Sequence, residues 1–268
     1  MEQRPTYRAG FALDITLDVI MSDHWETFPC QMGDHVAWIS YDHGIRFELE
    51  GIPFNNSARF AAMLKQPDER GLPSGEEFAR LNAIEDQLLE EISEKDGIQV
   101  GRVTTNGKRH FFFFTSLPEN VIAAMAEKLA KQHGYEILFA HEHDPERSVY
   151  WNQLFPTEED WQVIQDLRVQ NALCKEGDAL ATPRPIEHWA YFKTVGERER
   201  FVALLGNRFE GCDLYESPDS ERGIYTAKLV HTGLPDYRSM NPFTTLLNRS
   251  ARECGGDYDG WETQACRA

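Results

Sequence analysis

The spacing of apolar residues changes period several times along the chain. Phe78, Leu81, Ile84, Leu88 and Ile92 recur every three or four residues and predict a helix from about Gly75 to Lys95, stopped at Gly97. Before it, "HVAWISYD" and "GIRFELEG" read as strands joined at "DHG", followed by a polar stretch from about 53 to 75 rich in Pro and Gly. After it, "IQVGRVTT" and "KRHFFFFT" predict a hairpin turning at Asn106 and Gly107, because both residues tolerate the positive φ of a tight turn. Ser116 and Glu119 have capping-box spacing ahead of a helix carrying Ile122, Met125 and Leu129 and closed by Gly134, and "YEILFAHEH" then reads as a strand.

The second half repeats this order. "RPIEHWAYFK" predicts a strand, and Thr194 with Glu197 caps a helix carrying Phe201, Leu204 and Leu205 that ends near Gly211. "CDLYESP" and "GIYTAKLVHT" form a hairpin across "DSER". Asn241 and Pro242 open a helix with Phe243, Leu246, Leu247 and Ala251, Gly255 and Gly256 stop it, and "YDGWETQ" is the last strand. Between the halves, Thr157 and Asp160 cap a connecting helix with Trp161, Ile164 and Leu167. The fold class expected is α+β, with two ferredoxin-like (split βαβ) domains, each an antiparallel sheet in 4-1-3-2 order with helices on one face. The divisions expected are residues 1–155, a connecting helix and linker over 156–178, and residues 179–268.

Phe111 to Phe114 fall on the central third strand of the first domain, so two rings point to each face. Two phenylalanines left bare on the open face would be adhesive, so a covering element is expected there. An aromatic face holding Phe112 or Phe113 could instead stack bases, as some RNA-binding sheets do.

Charge changes the weight of that alternative. The formal net charge is −17, from 27 basic and 44 acidic residues. Residues 179–268 hold 11 basic against 13 acidic residues, leaving 16 against 31 for residues 1–178. A surface this acidic repels nucleic-acid phosphates and favours basic partners. No apolar run has the length of a membrane span. Asp14 and Asp18 interrupt the N-terminal apolar stretch, so it does not read as a signal peptide, and a cytoplasmic protein is expected. Five scattered cysteines without a C-x-x-C pair predict free thiols.

Catalytic signatures are missing: the chain has no G-x-S-x-G, G-x-G-x-x-G, P-loop or H-E-x-x-H. His141 and His143 share one face of a strand without an evident third ligand, so no metal and no cofactor is expected. His188 or its neighbour Trp189 should face inward. Glu90, Glu91 and Glu94 lie near a helix C-terminus, where negative charge opposes the dipole, and this makes them candidates for contact with a basic partner.

The segment "LLNRSARECGGDYDGWET" resembles the end of the bacterial RraB family, regulators of ribonuclease E activity, in which a helix ending in small residues leads into a Y-D-G-W-x-T strand. Tyr258, Asp259, Gly260, Trp261 and Thr263 carry that pattern, and the likeness extends over roughly 177 to 264. It implies a protein that inhibits an endoribonuclease by contact, with no chemistry of its own. "ARLNAIEDQLLEEI", "GRVTTNGKRHFFFFTS" and "YWNQLFPTEEDW" resemble domain of unknown function 695, over roughly 20 to 165. That likeness implies an architecture and no activity. Within the motif, strand alternation places Tyr258 and Gly260 on one face and Asp259 and Trp261 on the other.

Together these readings predict a non-enzymatic regulator or inhibitor acting through protein contact, with a ribonuclease or another basic protein as partner and self-association left open. The candidate contact residues are Tyr258, Asp259, Trp261 and Glu262, with Glu90, Glu91 and Glu94. The alternatives are an RNA-binding module using the Phe112 and Phe113 strand, and an enzyme with a site between the domains.

Overall fold

The computed structural model describes residues 24–205, 208–216 and 225–267. The chain forms two antiparallel sheets. The first has six strands: β1 (Trp25–Met32), β2 (His35–Asp42), β3 (Asn56–Met63), β4 (Gly97–Thr105), β5 (Lys108–Thr115) and β6 (Ile137–His143), in the order β1-β2-β4-β5-β3-β6. Helices α1 (Gly75–Glu91) and α2 (Glu119–His133) connect β3 to β4 and β5 to β6. The four strands from β3 to β6 thus have the expected 4-1-3-2 order, and the β1–β2 hairpin extends the sheet beyond β4.

The second sheet has four strands, β7 (Arg184–Phe192), β8 (Gly211–Glu216), β9 (Tyr225–Gly233) and β10 (Asp257–Glu262), in the order β10-β7-β9-β8, again 4-1-3-2. Helices α4 (Val195–Leu205) and α5 (Tyr237–Glu253) cover one face. Helix α3 (Glu158–Lys175) links the two units.

Several expectations shift. "GIRFELEG" is not a strand but two short 3-10 turns, Gly44–Phe47 and Leu49–Gly51. The Asp42 carboxylate accepts the Ile45 N–H at 3.1 Å and turns the chain there. The first strand of the split unit is β3, inside the stretch read as polar loop. The chain there reads "NSARFAAM": small side chains suit a strand buried between β5 and β6, but their low strand propensity hides it. Helix α1 ends at Glu91 rather than Lys95, and Gly97 opens β4. Helix α2 is preceded by Pro118 with no side-chain cap, because the Ser116 hydroxyl bonds to Asp96 instead. Helix α5 begins four residues before Asn241. Asp236 accepts the N–H groups of Arg238 and Ser239 at 2.9 and 3.1 Å, and Pro242 lies inside the helix. The capping boxes at Thr157/Asp160 and Thr194/Glu197 are both formed. The "DSER" turn lies outside the described residues.

All four phenylalanines of β5 are buried, at 3 % exposure or less. Phe111 and Phe113 pack under α1 and α2 with Leu81, Leu88 and Leu129. Phe112 and Phe114 belong to a second core on the opposite face, with Phe28, Tyr41, Leu49 and Phe54 from the hairpin and the turns after it. A π-helical segment, Tyr150–Leu154, completes this cover. It approaches β4 so closely that a Cβ on Gly101 would sit 2.7 Å from Leu154. Arg147 holds the layer down: its guanidinium lies over the Phe114 ring and donates to the carbonyls of Leu49 (3.2 Å) and Ile52 (2.7 Å). Neither Phe112 nor Phe113 therefore offers a ring face to a base.

Helix α3 belongs to both cores. Val163 and Ile164 join Phe112 and Tyr41 in the first, while Asp166 and Leu173 are buried against the second unit. No described helix is long and apolar enough to cross a membrane.

Candidate functional site

The motif strand β10 does not alternate as expected. Its register against β7 slips between Tyr258 and Gly260, and Gly260 has φ +119°, a conformation that disfavours any side chain. The bulge inserts one extra residue, so Tyr258 faces Ala190 and Trp261 faces His188, both on the helical side. Both aromatics are consequently buried, at 4 % and 5 % exposure, and only Asp259 and Glu262 of the four motif candidates are exposed.

Each buried aromatic spends its polar atom on an internal network, as buried polar groups must. The Trp261 indole N–H donates to Asp166 Oδ1 of α3 at 3.0 Å. The same carboxylate accepts from Gln162 Nε2 at 2.9 Å and from the Thr244 hydroxyl of α5 at 2.6 Å. Burial raises the Asp166 pKa against the pull of these three donors. Tyr258 meets His188 Nδ1 at 2.8 Å, and His188 Nε2 meets His231 Nδ1 at 2.9 Å. The phenol proton has no other acceptor among the described residues. Tyr258 therefore donates to His188 Nδ1, and His188 donates from Nε2 to His231. Burial, followed by the neighbouring His231, lowers the His188 pKa to about 3, so the ring is neutral. Thr263 closes the motif by donating to the Pro185 carbonyl at 2.7 Å.

The remaining candidates lie elsewhere. Glu90 and Glu94 are exposed, while Glu91 pairs with Lys128 of α2 at 2.9 Å. Among the described residues no hydrogen bond or ion pair joins these three to the motif strand. His141 contacts the Leu117 carbonyl and His143 the Asn56 side chain, and no metal-binding cluster occurs among the described residues. Cys174 and Cys212 are exposed free thiols.

The strongest surface feature was not singled out from the sequence. In β7, Ile186, His188, Ala190 and Phe192 are buried, whereas Glu187, Trp189 and Tyr191 alternate to the opposite face and remain partly exposed. Register adds Lys228 of β9 and Asp213 and Tyr215 of β8 to this face. Trp189 and Tyr215 stack at 6.2 Å, and the Trp189 N–H donates to Glu262 at 3.1 Å. Lys228 lies between Glu187 (3.4 Å) and Asp213 (3.2 Å). Three carboxylates thus surround one ammonium and a set of half-exposed rings. Alternation in "PIEHWAYF" carried the signal: it separates Glu187, Trp189 and Tyr191 from the apolar face.

Comparison with known proteins finds two separate matches along the chain. Residues 23–155 match the family model described as Family of unknown function (DUF695). Residues 163–263 match that of Regulator of ribonuclease activity B, which reaches back into α3 and includes Asp166. No curated protein matches the chain. The protein therefore joins a region similar to a family of unknown function to a region similar to regulators of ribonuclease activity.

Proposed function

We propose that the protein is a non-catalytic regulator that binds a ribonuclease through the exposed face of its four-stranded sheet. The observation that carries this reading is the aromatic and acidic character of that face, within the region similar to ribonuclease regulators. Half-exposed Trp189 and Tyr215 supply the flat apolar area that anchors interfaces, and arginine side chains of a partner would stack on them. Glu187, Asp213 and Glu262 would meet the basic groups, and a chain of net charge −17 would attract such a partner from a distance. Tyr258 and Trp261 serve indirectly, by fixing the edge strand that presents Glu262.

The test captures partners from native lysate with the full chain, identifies them by mass spectrometry, and titrates the purified ribonuclease against wild type, Trp189→Ala and Tyr215→Ala. A ribonuclease should be recovered, its cleavage rate should fall on addition of the protein, and each substitution should weaken binding by about 1–2 kcal/mol or more. Absence of any ribonuclease, or full affinity in both variants, would overturn the reading.

A further inference from the structure

The β1–β2 hairpin widens the first sheet to six strands, but the helical layer on the Phe111 and Phe113 side remains α1 and α2. That side of the sheet therefore runs out beyond α1 as a trough of about 380 Å³, a volume in the range of small-molecule sites. Thr27, Ser40, Arg102 and Thr104 form its floor. Its walls include Trp38, 40 % exposed, and Phe78 at the start of α1, 43 % exposed.

Three arginines converge here in a strongly acidic protein. Arg70 is paired with Asp68 and Arg102 with Glu85, each at 2.8 Å or less. Arg109 differs. It is only 2 % exposed, its partners are the neutral Thr104 hydroxyl and Asn82 amide oxygen, both at 2.9 Å, and it stacks over the Phe78 ring. No carboxylate lies within ion-pair distance of it, and its Nη2 has no protein partner, among the described residues. Burial and the nearby Arg102 lower its pKa to about 10, which still leaves it a cation at neutral pH. Glu85 and Glu77 attract it only from beyond ion-pair distance. A buried charge without a paired carboxylate is expensive, and folds retain such groups where something else supplies the opposite sign.

We infer that this trough binds a small molecule bearing one anionic group, a carboxylate or a phosphate, on a flat apolar body. The anion meets the open Nη2 of Arg109 and the remaining donors of Arg102, since guanidinium N–H groups match the oxygens of either oxyanion. The body lies against Trp38 and Phe78. Mononucleotides and aromatic carboxylates share this chemistry. The site is separate from the exposed face of the second sheet, so it stands or falls independently of the ribonuclease reading.

The test is calorimetric titration of the full chain at low salt with adenosine monophosphate, inorganic phosphate, indole-3-carboxylate, and the uncharged adenosine and indole. At least one flat anion should bind about tenfold or more tightly than its uncharged counterpart, and added salt should weaken it. Binding of adenosine monophosphate with phosphate identifies a phosphate ligand, and binding of indole-3-carboxylate identifies a carboxylate. Arg109→Gln should remove about tenfold or more of the affinity. Trp38→Ala, at an exposed position that leaves the fold intact, should weaken it severalfold, while Trp189→Ala should leave it unchanged. No binding of any anion below about 1 mM, equal binding of uncharged analogues, or full affinity in both Arg109→Gln and Trp38→Ala would overturn the inference.

Discussion

Replacing Asp166 tests whether the motif strand is held from α3. Asp166→Ala strands three buried donors: the Trp261 indole N–H, the Gln162 amide and the Thr244 hydroxyl. A buried donor left without an acceptor costs about 1–3 kcal/mol, which gives about 3–9 kcal/mol if the site stays dry. It does not stay dry: a groove of about 220 Å³ lined by Asp166 and Trp261 lets water reach the indole, and a separate one of about 400 Å³ is lined by Gln162. Thr244 can also turn its proton to the Met240 or Asn241 carbonyl, each 3.3 Å away. The expected loss is therefore at the low end, about 3 kcal/mol. Asp166→Asn behaves differently. Its carbonyl oxygen keeps both N–H donors, and its amide donates to a Thr244 hydroxyl that has turned away. The folded-state pKa of Asp166 is raised, so its carboxylate makes a contribution that weakens as pH rises above the unfolded value of about 3.9, and asparagine removes that penalty at neutral pH. Asp166→Asn should then lie within about 1 kcal/mol of wild type. Urea unfolding followed by tryptophan fluorescence and far-UV circular dichroism measures both variants. Equal loss in Ala and Asn, or an Ala loss below about 1 kcal/mol, would refute the three-donor account.

Two further outcomes are expected. Phe112→Ala and Phe113→Ala, on opposite faces of β5, should each cost about 3–5 kcal/mol in urea unfolding, and a neutral member of the pair would show that its face is not packed. His188 has a folded pKa of about 3 against about 6.5 unfolded, so the unfolded chain binds more protons between these values and stability falls as pH drops through that window. The share from His188 is about 2 kcal/mol between pH 7.5 and 5; His188→Gln should flatten the pH profile by that amount, and an unchanged slope would contradict the assignment.

Where one periodicity governs a segment, the sequence was readable. The Asn106–Gly107 hairpin, the Thr157 capping box and the Gly134 helix stop depend on local chemistry alone, and all three are present. β3 was misread because a strand buried on both faces between two neighbours is filled with alanines, which carry no alternation. The turns after β2 were misread as a strand because their apolar residues face a core made by distant segments. At the candidate site, the bulge at Asp259 reversed one side chain: alternation placed Trp261 opposite Tyr258, and a single extra residue brought them together. The Trp189 face was visible in the alternation of β7, but nothing local distinguishes an uncovered face from one covered by another element. Arg109 was equally hidden, because its neutral partners Thr104 and Asn82 come from a neighbouring strand and a distant helix.

The dual burial of α3 bears on how the molecule can be cut or recombined. One edge of this helix completes the phenylalanine core of the first unit through Val163 and Ile164, and another seats Trp261 of the second through Asp166. A boundary drawn on either side of it deprives one fragment of a wall. The region similar to ribonuclease regulators, excised with its helix, would expose Val163 and Ile164. Excised without it, the region would lose the acceptor for its own motif tryptophan. Limited proteolysis should therefore yield no stable fragment ending inside residues 158–175. Any rearranged protein that borrows one half must carry these eighteen residues along and give their other edge something new to rest on.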